Sequence, residues 1–124
     1  MQPKKKALEI AGFAIGKHAK DVVILNVKKL STVADYLVIC SADSERQVAA
    51  IADAIEDGMR KKNARPMGVE GAKAGRWALM DFNDVVAHIF HEPVRRFYDL
   101  DGLWADAPRI EAEDRPKQGL PGSL

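Results

Sequence analysis

Cys40 is the single cysteine of this 124-residue chain, so no intrachain disulfide can form. A lone thiol fits a reducing compartment. No run approaches the roughly 18 apolar residues that a membrane-spanning helix needs. The basic start, MQPKKKALEIAG, leads into neither a long apolar region nor a small-residue cleavage site, which argues against a secretory leader. Neither charge sign dominates. Nineteen Lys and Arg against eighteen Asp and Glu leave +1, whereas sequence-independent nucleic-acid binding leans on a clear basic excess. The Lys4-Lys5-Lys6 run reads as a solvated helix start. EGAKAG, residues 70 to 75, lacks the lysine and hydroxyl placement of a phosphate-cradling loop.

What is present suits one domain. A chain of this size buries roughly two-thirds of the surface its unfolded form exposes, so it needs neither disulfide nor metal to hold a core. Residues 4 to 19 show a helical stripe of Leu8, Ala11, Ile15 and Ala19, with Gly12 and Gly16 permitting close packing on a sheet. VVILNV (22 to 27) and DYLVICS (35 to 41) are short β-branched runs that read as strands buried on both faces. Ser44 with Gln47 fits a capping box. Val48, Ile51, Ala52, Ile55 and Met59 then recur at helical spacing to about Lys62, with Glu56–Arg60 and Asp57–Lys61 as exposed pairs. Residues 66 to 70 make a short third strand. WALMDF (77 to 82) and VVAHIF (85 to 90) follow, separated by Asn83 and Asp84 alone. Pro93 suits the first turn of a closing helix. The expectation is an α/β domain over residues 1 to 105, one sheet of about five strands flanked by helices. Residues 106 to 124, rich in Pro, Gly and charge, read as a flexible tail.

A two-residue turn at Asn83-Asp84 sets the hairpin register. It pairs Phe82 with Val85, Asp81 with Val86, Met80 with Ala87, Leu79 with His88, Ala78 with Ile89, and Trp77 with Phe90. Alternation then divides the hairpin. Ala78, Met80, Phe82, Val85, Ala87 and Ile89 form a wholly apolar core face. Trp77, Leu79, Asp81, Val86, His88 and Phe90 form the other, in which apolar bulk is punctuated by a carboxylate and an imidazole. Such a face suits a protein-binding surface with Trp77 as its hot spot. The alternative is that the first helix, or Tyr98 and Trp104, covers it.

Candidate chemistry is sparse. HIFHE (88 to 92) has the composition of a metal trio. However, His88 and His91, three apart on a strand, face opposite ways, and Pro93 biases Glu92 away from the α region. The trio therefore divides, with His88 on the sheet, His91 at its edge and Glu92 near the helix start. His18 adds no ligand spacing. Cys40 lies in an apolar strand with no base beside it and reads as a core residue. Asp81 and Asp84 flank a tight turn and converge poorly on a cation. No cofactor and no catalytic group is indicated.

Two blocks carry a family resemblance. DYLVICSADSERQVAAIADAIE resembles the opening motif of the ribosomal silencing factor family (RsfS, also called Iojap), and GRWALMDFNDVVAHIFHEPVRRFYDLDGLW resembles its second block. The likeness runs from about Leu8 to Trp104, with Asn83 standing where many relatives have Gly. It implies a mixed sheet akin to nucleotidyltransferases but without their catalysis. It also implies binding to the large ribosomal subunit through ribosomal protein uL14, blocked joining of the small subunit, and lowered translation in stationary phase or starvation. Help in late large-subunit assembly, a homodimer when free and a bacterial cytoplasmic location are implied as well. Residues beyond 105 fall outside the pattern. The open hairpin face, Trp77, Leu79, Asp81, His88 and Phe90, with Glu70, Lys73 and Arg76 from the adjacent loop, is the expected contact surface. The competing reading is a nucleotidyltransferase-like nucleotide-binding enzyme. Such an enzyme needs a Gly-Ser pair and an Asp-x-Asp strand, and CSADSER and DFND supply neither. A general RNA-binding module is disfavoured by the charge balance.

Overall fold

The two most apolar segments of the chain lie side by side at the centre of the sheet. In the computed structural model, which describes residues 1–112, these are β2 (Tyr36–Ala42) and β5 (Val85–His91), paired in parallel with Tyr36 opposite Val85 and Ala42 opposite His91. Every residue of β2 is buried. Around this pair are β1 (Lys20–Asn26), β3 (Gly68–Glu70), β4 (Trp77–Asp81) and β6 (Arg109–Glu111). The order is β3-β4-β5-β2-β1-β6, and every neighbour pair other than β2–β5 is antiparallel. A parallel neighbour needs a crossover. It is supplied by α2 (Glu45–Lys61), which with α1 (Pro3–Gly16) covers one face. The short α3 (Glu92–Tyr98) and α4 (Leu100–Leu103) turn onto the other.

The fold class is as expected, with one strand more. Arg109–Glu111 belongs to the segment read as a tail, yet its backbone pairs with Val23, Ile24 and Leu25. A three-residue edge strand with one large apolar residue, Ile110, leaves no period in the sequence to detect. The remainder of the expected tail, 113–124, lies outside the described residues.

Local chemistry explains the helices. Ser44 caps α2, its Oγ accepting from the Gln47 backbone N–H at 3.0 Å. The return half of the expected box differs: Gln47 Oε1 accepts from Asp43 N at 2.6 Å, and its Nε2 donates to Lys17 O and His18 O. One side chain thus ties the end of α1 to the start of α2. Val48, Ile51, Ala52, Ile55 and Met59 are the buried stripe of α2, as their spacing required. Arg60 pairs with Asp57 rather than Glu56.

Helix α1 departs from the reading. It ends at Gly16, and its buried residues are Ala7, Ile10, Ala11 and Ala14, whereas Ile15 is exposed. A face built of alanines lets α1 lie close, and the large residues that dominated the stripe were a poor guide to it. An added Cβ on Gly16 meets nothing within 4 Å, so that expected packing glycine is open, whereas one on Gly58 of α2 would fall 2.5 Å from the Phe13 ring. Lys6 is not simply solvated either. Its Nζ donates to Asp84 Oδ1 at 2.6 Å and to Phe82 O at 3.1 Å, clamping the hairpin turn to α1.

The loop between β3 and β4 depends on two glycines. Gly71 and Gly75 have φ of 79° and 75°, a region costly for any residue with a Cβ. A Cβ on Gly75 would sit 2.3 Å from the Glu45 carbonyl oxygen, and one on Gly71 would sit 2.1 Å from that of Trp77. Gly75→Ala is expected to cost more than about 2 kcal/mol in urea unfolding, from the left-handed backbone plus the clash. Gly16→Ala is expected to be neutral or to stabilise by up to about 1 kcal/mol. Equal effects at the two positions would contradict this picture of the loop.

Candidate functional site

The β4–β5 hairpin has the register its two-residue turn demands. Trp77 lies opposite Phe90, Ala78 opposite Ile89, Leu79 opposite His88, Met80 opposite Ala87 and Asp81 opposite Val86, and Phe82 N donates to Val85 O at 2.8 Å. Only Asn83 takes the left-handed conformation, with φ 77°. Asp81 Oδ1 accepts from Asn83 N at 2.8 Å, so this half-buried carboxylate shapes the turn. Ala78, Met80, Phe82, Val85, Ala87 and Ile89 are all buried against the helices.

The opposite face is only partly open, which corrects the expectation. Val94, Leu100 and Trp104 pack over Val23, Leu25, Val27, Leu37, Ile39, Phe90 and Ala107. Phe90 has no exposed surface and His88 only 9%, so neither presents a docking surface. The segment after β5 folds back over β5, β2 and β1. Among the described residues it meets β4 at Trp77, against the Tyr98 ring, while Trp77 and Leu79 stay half-buried and Glu70, Lys73 and Arg76 are exposed. Glu70, Gly71, Trp77 and Leu79 line a shallow hollow of about 290 Å³. Three of the expected contact residues are thus brought together in one depression.

Four rings set the site in place. The Trp77 ring lies 4.8 Å from Phe90 and 4.9 Å from Tyr98, centroid to centroid. His88 stacks on Phe90 at 6.1 Å. The Trp77 indole N–H donates to His88 Nδ1 at 3.0 Å. An indole nitrogen only donates, so Nδ1 carries no proton and the ring is the neutral Nε2–H tautomer. Burial holds the His88 pKa well below its ordinary 6.5, at about 4.

Sequence reasoning missed the exposed apolar side chains of the segment after β5. Phe97, Tyr98 and Leu103 are 81%, 52% and 72% exposed, and neither α3 nor α4 buries a residue fully. The signal was in VRRFYDLDGLW, which has more large apolar residues than a helix of this length can turn toward a sheet. The anchor of this segment is Arg95. Its Nη1 donates to Ser41 Oγ at 2.9 Å and to Asp21 O at 2.7 Å, while Nε and Nη2 grip Asp101 at 3.2 and 2.9 Å. The hydrogen bond from Arg95 holds the Asp101 carboxyl below its usual range.

HIFHE is divided between elements. His91 ends β5 and Glu92 opens α3, where it pairs with Arg96, while His88 Nδ1 is taken up by Trp77. Among the described residues no three His, Cys, Asp or Glu are grouped to hold a metal ion. Cys40 is fully buried, and burial pushes its thiol up to about 12. No helix of the described residues is long and apolar enough to cross a membrane.

The His88 environment gives a pH test. Its folded value lies below its unfolded one, so its contribution to stability is complete above about pH 6.5. That contribution is lost as pH falls toward 4, because only the unfolded chain takes up the proton. The stability of wild type relative to His88→Asn is expected to fall by about 3 kcal/mol between pH 7 and pH 4. Parallel pH profiles for the two proteins would contradict a buried neutral imidazole.

Comparison with known proteins bears on what such a surface serves. The family model described as "Ribosomal silencing factor during starvation" matches residues 1–121. The chain is 42% identical over 111 residues to ribosomal silencing factor RsfS of Bacillus subtilis, covering 89% of this chain and 94% of that protein. It is 40% identical over 110 residues to RsfS of Halalkalibacterium halodurans, covering 88% and 94%. It is 35% identical over 105 residues to the chloroplastic protein Iojap of Arabidopsis thaliana, covering 85% of this chain and 44% of that one. Among solved structures it resembles a Chromobacterium violaceum protein at TM-score 0.83 and 28% identity, covering 85% and 88%. It resembles a Bacillus halodurans protein at TM-score 0.75 and 36% identity, covering 86% and 98%. The chain belongs to the ribosomal silencing factor family.

Proposed function

We propose that this protein represses translation by sitting on the large ribosomal subunit at ribosomal protein uL14 and blocking the small subunit from joining. The contact surface in this reading is the uncovered end of the hairpin face. Trp77 and Leu79 form its centre, with Asp81, Glu70, Lys73 and Arg76 around them. His88 and Phe90, first counted among the contacts, lie beneath and support them. The observation that carries the assignment is the hollow lined by Glu70, Gly71, Trp77 and Leu79, at the place where the cover of the second sheet face ends. An apolar centre rimmed by charged side chains is the usual make-up of a protein-binding patch.

Occlusion of this kind needs an occupied surface and no reacting group, so the proposal includes neither catalysis nor a cofactor. A net charge of +1 lacks the basic excess that general RNA binding leans on, which favours a ribosomal protein as the partner. The setting is the cytoplasm in stationary phase or starvation, with a role in late large-subunit assembly and a homodimer as the free form.

Trp77→Ala is expected to weaken co-sedimentation with purified large subunits by about 2 kcal/mol or more, roughly thirtyfold in Kd. Inhibition of subunit joining should fall in parallel in the same samples. A Trp77→Ala protein that pellets with large subunits at full affinity would overturn the assignment.

A further inference from the structure

Two groups on the hairpin face differ in what they can offer a partner. Trp77 is half-buried and reaches the hollow, whereas His88 is covered. They are diagonal neighbours on adjacent strands, Trp77 opposite Phe90 and Leu79 opposite His88, a separation that long aromatic side chains span. The stacking of Trp77 on Phe90 and Tyr98 sets the plane of the indole. Stacking alone does not choose between the two flips of the ring, because the outer torsion of Trp is broadly two-fold. One flip turns Nε1–H toward His88 and the other turns it away. The 3.0 Å bond to His88 Nδ1 selects the first.

Resting on the docking reading above, we infer that His88 is a positioning residue for ribosome binding: its Nδ1 holds the Trp77 indole in one orientation, so that the partner meets carbon and not the N–H. The hydrogen-bonding capacity of Trp77 is used within the chain, since an indole has one donor and no acceptor. The partner surface over Trp77 therefore needs no acceptor for that nitrogen. Its chemistry is apolar, an aliphatic or methylene-rich patch of a ribosomal protein. Specificity then comes from the rim, where Glu70, Lys73 and Arg76 are exposed.

The same geometry assigns Tyr98 a role. Its ring abuts Trp77 and is itself half-exposed. It forms the outer wall of the indole slot and extends the apolar centre of the contact.

The test uses the full-length chain and purified large subunits, with binding read by co-sedimentation. His88→Asn keeps an acceptor at the position of Nδ1 and is expected to bind within about threefold of wild type, a loss below one hydrogen bond. His88→Leu removes the acceptor and is expected to bind about tenfold more weakly. Its Trp77 indole N–H resonance, assigned by its loss in Trp77→Phe, should move from its wild-type position. In a Trp77→Phe background His88→Leu should cost nothing more, because the group it positions is absent. An equal loss in both backgrounds would show that His88 acts through the fold and would overturn the inference. Wild-type affinity for His88→Leu alongside weak binding by Trp77→Ala would overturn it while leaving the docking reading intact. Wild-type affinity for both would sink the docking reading as well. Should His88→Leu fail to fold, His88→Gln, whose oxygen lies at the Nε2 position, takes its place. It is expected to bind weakly, and wild-type affinity would count against the inference.

Discussion

Everything in this fold answers to the burial of β2 and β5 on both faces. A parallel pair made of YLVICSA and VVAHIFH cannot leave either face in water, and each face is covered by different means. On one, two helices lay down a broad stripe of Ala, Ile, Val and Met. On the other, the cover among the described residues is α3, α4 and the chain to Ala107, held down by Arg95 across Ser41 and Asp101. Among the described residues that segment lies over the central strands and meets the outer hairpin strand at Trp77, against the Tyr98 ring. It leaves Trp77 and Leu79 where another molecule can finish the burial.

This arrangement suits the occlusion proposed above. Occlusion asks for a rigid, pre-formed patch, because ordering side chains on binding reduces affinity. Rigidity here comes from inside the chain. The aromatic cluster of Trp77, His88, Phe90 and Tyr98 fixes the central side chain, Lys6 clamps the turn, and Gly71 and Gly75 let the rim loop press against α2 and β4. Histidine in the middle of this face looks like chemistry and works as architecture. Its imidazole is kept neutral by burial, and its one acceptor is occupied.

Much of this was legible in the sequence because periodicity reports burial. The α2 stripe, the two-sided strands and every pairing of the hairpin followed from residue spacing and the two-residue turn at Asn83-Asp84. Three things were not legible, each for a physical reason. The α1 face is three alanines around Ile10, and alanines carry little hydrophobic signal. Strand β6 is held by backbone pairing with β1, to which side-chain pattern is blind. The cover over Phe90 and His88 depends on where the chain returns after β5, a tertiary matter that alternation within the hairpin cannot encode. Hence face assignment was correct for all twelve hairpin positions, whereas exposure on the second face was overestimated.

Docking of the large subunit on the uncovered end of the hairpin is tested most directly by site-specific photo-crosslinking. A benzophenone side chain would be placed at Leu79, beside the hollow, or at Asp53, on the exposed side of α2, and each protein bound to purified large subunits. Crosslinking to ribosomal protein uL14 from position 79 and none from position 53 is the expected result. Crosslinks from position 53 with none from position 79 would place the ribosome on the helical face and contradict the account.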